Sequence, residues 1–119
     1  MTNTEDFFDS VLSEIPKLRD FYQNELSYWA PEKPPLTLLM SNFAREFLAL
    51  DINHGLLIKI LNLVEIAINS SNDNLSNAVA TGFLETLYFN YPKEDKEFFH
   101  SLLGEKTKEH IDRLANFYN

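Results

Sequence analysis

His54-Gly-Leu-Leu-Ile-Lys-Ile-Leu-Asn-Leu-Val-Glu-Ile-Ala-Ile-Asn69 is the stretch that decides the fold. Only Lys59, Asn62, Glu65 and Asn69 interrupt its apolar residues, in steps of three or four that keep them on one side of a helix. A polar stripe that narrow predicts a helix covered on most sides, the centre of the core. Asp51, Asn53 and Gly55 ahead of it supply turn and cap chemistry. Behind it, Ser70-Ser-Asn-Asp-Asn74 forms a polar turn rich in helix-capping residues.

Downstream, the pattern predicts a helix from about Asp73 to Phe89, with Leu75, Val79, Phe83, Leu84, Leu87 and Tyr88 facing inward. Ala78, Ala80 and Gly82 are small, which lets another helix pack closely; a mid-helix glycine otherwise costs about 1 kcal/mol. Asn90-Tyr91-Pro92 ends this helix. A short one follows from about Lys93 to Leu103, stopped by Gly104. The last runs from about Glu105 to Phe117, with Ile111, Leu114, Ala115 and Tyr118 as its apolar side.

Upstream, Leu38, Leu39, Phe43, Phe47, Leu48 and Leu50 share one face of a helix beginning near Leu36, opposite Asn42, Arg45, Glu46 and Ala49. Residues 30–35, Ala-Pro-Glu-Lys-Pro-Pro, form a stiff extended link. Phe7, Phe8, Val11, Leu12 and Ile15 mark a first helix, with Thr2 or Thr4 as its N-cap. Pro16 breaks the pattern and opens a second helix that carries Leu18, Phe21, Tyr22 and Leu26 and ends near Trp29. No segment alternates apolar and polar residues over strand length. The expected architecture is therefore all-α. It is a single domain over residues 1–119, an antiparallel bundle of about six or seven helices in which successive helices pack together. Two helical hairpins, 36–69 and 73–103, hint at a HEAT-like stack.

Composition narrows the functional classes. The chain has 119 residues, with 10 Lys+Arg against 18 Asp+Glu and a formal net charge of −8. Residues 1–32 alone carry seven acids and two bases. Nucleic acid and anionic membrane surfaces both demand a basic face, so neither is the expected partner. There is no cysteine, which excludes disulfides, thiolate metal sites and cysteine nucleophiles. No apolar run reaches the roughly 18–20 residues that span a bilayer. The start, Met-Thr-Asn-Thr-Glu-Asp, lacks the basic and apolar regions of a secretory signal, so a cytoplasmic protein is expected.

The chemistry-bearing residues do not assemble into a motif. His54, His100 and His110 lack the spacing of a metal pair. The three glycines are scattered, and there is no nucleophile elbow or His-Glu-x-x-His sequence. The expectation is a protein that is not an enzyme and takes no cofactor. Two polar stripes offer more: Lys59, Asn62, Glu65 and Asn69 on one helix, and Asn74, Asn77, Thr81 and Glu85 on the next. Side by side they would make one recognition face for a basic partner. Trp29 and the Phe98-Phe99 pair are further candidate contacts.

The run Asn77-Ala-Val-Ala-Thr-Gly-Phe-Leu-Glu-Thr-Leu87, followed by Tyr91-Pro92 and Leu102-Leu-Gly-Glu-Lys-Thr107, resembles a family of small acidic helical bacterial proteins. That family is tied to toxin immunity, including contact-dependent growth inhibition. Ile15-Pro-Lys-Leu18 and the helix bearing Val64-Glu65 fit the same layout. The resemblance implies an immunity protein that binds and neutralises a cognate toxin domain, a nuclease (RNase ahead of DNase), by covering its basic cleft. The expected contact residues are Asp6, Asp9, Asp20 and Glu25 of the first two helices, with Glu65, Asn69, Asn77 and Glu85 of the polar stripes. The alternative is an interaction or regulatory adaptor on the same scaffold. A small hydrolase, the weakest option, requires titratable groups to converge in a pocket.

Overall fold

Capping chemistry sets the first helix one residue away from either threonine. In the computed structural model, which describes residues 1–118 (Tyr118 by its backbone alone), α1 spans Thr4–Glu14 and Asn3 is its N-cap. Asn3 Oδ1 accepts from the Asp6 N–H at 2.9 Å, and the Asp6 carboxylate accepts from the Asn3 N–H at 3.3 Å. This reciprocal pair satisfies two backbone donors at the helix start. Thr2 caps nothing; its N–H and hydroxyl both donate to Asp6 at 2.8 Å.

Ile15 ends α1, and Pro16, which has no N–H to lose, opens a single 3-10 turn, Pro16–Leu18. α2 then spans Arg19–Trp29. After the proline-rich link come α3, Leu36–Ala49, and α4, His54–Ile68, capped by Asn53 through the Leu56 N–H at 2.8 Å. α5 is one rod in three parts: Asp73–Ala78, a π turn over Val79–Leu84, and Glu85–Asn90. A 3-10 turn, Lys93–Asp95, leads into α6, Lys96–Ser101, and the chain ends in α7, Glu105–Tyr118. Among the described residues there are seven α-helices and no strand, the all-α bundle that the periodicity implies. Tyr118 as an inward residue lies outside the described side chains.

The centre of this bundle is α5, not α4. Val79, Phe83, Leu84 and Leu87 are fully buried, and α5 touches α3, α4 and α7. α4 buries Leu57, Ile60, Leu61, Val64 and Ala67, but Ile58 and Ile66 stay 41% and 53% exposed. Its apolar excess therefore reaches solvent instead of marking the core. The small residues of α5 explain the inversion. A Cβ added at Gly82 would lie 2.6 Å from Met40 Cβ and 2.9 Å from the Thr37 carbonyl oxygen, so α3 sits directly on the glycine. α3 thus finds its main neighbour in α5 and makes few contacts with α4. Packing of successive helices fails at that step, and the 36–69 hairpin does not form.

The π turn lies under this contact. Its i→i+5 bonding widens the helix, and the Ser41 hydroxyl of α3 donates to the Gly82 carbonyl at 3.3 Å while accepting from Thr86 Oγ1 at 3.1 Å. Thr81 Oγ1 donates back to the Asn77 carbonyl at 2.7 Å, the kind of bond that bends helices. An aromatic cluster fills the space between α1, α2, α3 and α5. Phe43 lies at its middle, 5.1 Å from Phe8, 6.2 Å from Phe83 and 6.1 Å from Tyr22 between ring centroids.

Candidate functional site

α2 is the one helix of this length with no fully buried residue. It leans on α3 through Phe21, Tyr22 and Leu26, all half-buried. That shallow seating leaves an open groove of about 500 Å³ between α2 and α3, lined by Phe21, Asn24, Glu25, Tyr28, Trp29, Leu38 and Asn42. Tyr28 is 80% exposed and meets Trp29 edge-on, ring centroids 5.7 Å apart. Leu38, expected to face inward, is instead 44% exposed and forms the α3 wall of the groove. The only charged lining residue is Glu25, whose Oε1 accepts a long 3.4 Å bond from the Asn42 amide.

Acids surround this end of the molecule. Glu5, Asp9 and Asp20 are exposed. Burial, and then the negative charges of Asp9 and Glu5, raises the Tyr22 phenol above its ordinary value. The two α1 acids therefore act on the α1–α2 seam together. A second groove, about 480 Å³, lies beside it between the start of α1, α2 and the proline link, and includes Glu5, Tyr22, Leu26, Glu32 and Lys33.

The eight residues expected to contact a partner divide into two groups. Asp9, Asp20 and Asn77 are exposed, and Glu25 lines the groove. The other four have work inside the molecule. Asp6 closes the α1 cap; hydrogen bonds from the Thr2 backbone and hydroxyl hold its carboxyl below the ordinary range. Glu65 accepts from the backbone N–H groups of Lys106 and Thr107 at 3.0 and 2.9 Å, and from Asn69 Nδ2 at 3.0 Å. It is thus the cap of α7, supplied from another helix. Gly104 precedes α7 without a side chain or a left-handed φ; a Cβ there would meet the Glu65 side chain at 2.6 Å. Glu85 Oε2 lies 2.8 Å from His110 Nε2. Of the two polar stripes, Glu65 and Glu85 thus face the chain's own C-terminal helix.

Glu65 carries a testable consequence. Burial pushes its carboxyl up, but the bonds from Thr107, Lys106 and Asn69 outweigh that and hold it below its ordinary 4.5. A group with a lowered pKa in the fold contributes stability at neutral pH and loses it as pH falls through that lowered value. Glu65→Gln is expected to cost about 1 kcal/mol at pH 7, near the low end for caps because the carboxylate is partly open to water. It should also flatten part of the stability loss below pH 4.5, read from urea unfolding at pH 7 and pH 3. Equal pH profiles for the two proteins would remove the cap.

Further titratable groups lie around α6 and α7, apart from the Lys59–Glu14 ion pair at 3.6 Å between α4 and α1. His100 Nε2 lies 2.8 Å from Asp112 Oδ1, beside a shallow cavity lined by Tyr88, Lys96, Glu97 and His100. Lys96 Nζ sits 4.3 Å above the Tyr88 ring. His100 is half-buried and Asp112 exposed, so water reaches the pair. Among the described residues, no group of three or more His, Asp or Glu is placed to hold a metal ion. Phe99 is buried in the core, and Phe98 stacks at 4.5 Å on His54.

The sequence singles out Trp29, a candidate contact, among the groove residues; it does not single out Tyr28 and Leu38. The signal for them is the dipeptide Tyr28-Trp29 running into a proline-rich link, because a helix that ends there cannot bury both rings.

These features define an all-α domain with one continuous core and open grooves at its acidic end. It belongs to the family described as a domain of unknown function, DUF7674, whose model matches residues 8–119 and so takes in every helix, although the first turn of α1 falls outside. No curated protein and no solved structure matches the chain. No described helix is long and apolar enough to cross a membrane.

Proposed function

We propose that this protein is a non-catalytic inhibitor that captures a basic partner protein, a bacterial nuclease toxin domain, with the end formed by α1, α2 and α3. The observation that carries the proposal is the α2–α3 groove, aromatic, open and with the acid Glu25 among its lining residues; Asp20 is exposed on the same helix, and Asp9 on α1, where it lines a separate groove against α4. Tyrosine and tryptophan are over-represented among the residues that dominate binding energies. Acids at the rim steer a basic partner and speed encounter. The resemblance to toxin-immunity proteins supplies the class of partner, and an acidic face over a nuclease cleft would stand where substrate phosphate otherwise lies.

Co-expression with the C-terminal domain encoded by the adjacent large reading frame tests this, with growth as the readout. Wild-type protein is expected to rescue growth. The triple variant Asp9→Lys, Asp20→Lys, Glu25→Lys is expected to keep its helical content and to bind the toxin about ten- to a hundredfold more weakly. Absence of rescue by the wild type removes the toxin and leaves the adaptor alternative. Undiminished affinity of the triple variant removes the charged face.

A further inference from the structure

We propose that the α2–α3 groove is an anchor site for one arginine side chain of the partner, its guanidinium held against the Tyr28 ring and by the Glu25 carboxylate. This rests on the inhibitor function proposed above and specifies the chemistry by which its central groove is filled.

Two observations point to a cation. First, Glu25 is the groove's only charge, and its carboxylate is engaged only by the weak 3.4 Å bond from Asn42. An ionised carboxylate offers about four acceptor positions, so most of its capacity faces the groove. Second, the exposed Tyr28 ring stands beside Trp29 at 80° between planes. An edge-on pair leaves aromatic faces available, and cations are attracted to such faces. Arg45 donates to Asn42 Oδ1 at 3.2 Å, which turns the Asn42 N–H toward Glu25 and leaves the guanidinium on the amide rather than on the carboxylate.

Arginine fits better than lysine. A planar guanidinium stacks on an aromatic face while donating two parallel bonds to one carboxylate, and it gives up water more readily than an ammonium. The groove is open rather than enclosed, which suits a side chain presented by a protein surface.

Trp29 is the only tryptophan of the chain, so its fluorescence reports the groove directly. Titration of the full-length protein with N-acetyl-arginine amide is expected to give a saturable change in the millimolar range, ordinary for a ligand this small. The uncharged isostere N-acetyl-citrulline amide should bind at least about tenfold more weakly, and the lysine analogue severalfold more weakly. Glu25→Gln and Tyr28→Ala, both at solvent-accessible positions, should each weaken the arginine compound about five- to tenfold without changing the melting temperature. Equal binding of arginine and citrulline compounds would overturn the proposal, as would unchanged affinity in both variants. A concentration-dependent dimer that Tyr28→Ala abolishes would also overturn it, by placing a second copy in the groove. The two proposals fail separately. Rescue of growth that survives both single variants removes the arginine anchor and keeps the inhibitor; selective arginine binding without rescue does the reverse.

Discussion

Phe43→Ala is expected to lower the free energy of unfolding by about 3–5 kcal/mol, a large share of the 5–15 kcal/mol that holds an ordinary domain together. Phe43 is 0% exposed and is the one ring that contacts α1, α2 and α5 at once, through Phe8, Phe21, Tyr22 and Phe83. Its removal loses the transfer energy of the ring and leaves a cavity whose walls come from four helices. Four independently anchored walls cannot all move in. The edge-on contact with Phe8, at 85° between planes, is lost as well. Urea unfolding should show a lower midpoint with an unchanged slope, and the melting temperature should fall by roughly 10–20 °C. A loss below about 1.5 kcal/mol would mean that the aromatic hub is loosely packed.

Gly82→Ala is the sharper test, because two physical effects predict opposite signs. Helix propensity alone says that alanine stabilises by about 1 kcal/mol. The structure says that the new methyl group meets Met40 Cβ at 2.6 Å and the Thr37 carbonyl oxygen at 2.9 Å. Neither obstacle is the tip of a flexible side chain; one is fixed to the α3 backbone and the other belongs to it. The helices must separate, which also strains the Ser41 hydroxyl bond to the Gly82 carbonyl. Overpacking of this kind costs about 1–3 kcal/mol and sometimes more, so the expected result is a net destabilisation of about 2–3 kcal/mol in urea unfolding. A stabilised variant would show that α3 does not lie on Gly82 in solution.

The helical class was legible because apolar spacing and the positions of Pro16, Pro31, Pro34 and Pro35 are local signals. Close approach at Gly82 was legible too, since a mid-helix glycine is costly unless something packs on it. The π turn was not, because a helix that widens for one turn leaves the same composition and almost the same spacing as one that does not. Nor could the spacing of Glu65 and Glu85 say what they face. A polar stripe records that a surface is wet or bonded, and which of the two depends on where the last helix of the chain comes to rest. Ile58 and Ile66 misled for a related reason: hydrophobicity marks what can be buried, and geometry decides what is. At the candidate site, Glu25 and Trp29 stood out by type, whereas the exposure of Tyr28 and Leu38 follows from the shallow tilt of α2 against α3.

The fastening of α7 has an implication for how the molecule comes apart. Among its described side chains that helix brings only Thr107 and Ile111 into the fully buried set, and it is tied down by the Glu65 carboxylate and the His110–Glu85 and His100–Asp112 contacts. The Glu65 cap weakens as pH falls through that carboxyl's lowered value, whereas the phenylalanine hub of α1, α3 and α5 does not depend on pH. Opening is therefore graded along the chain. The carboxyl-terminal arm is expected to detach at a smaller free-energy cost than the rest, its amides exchanging with solvent before those of the phenylalanine hub.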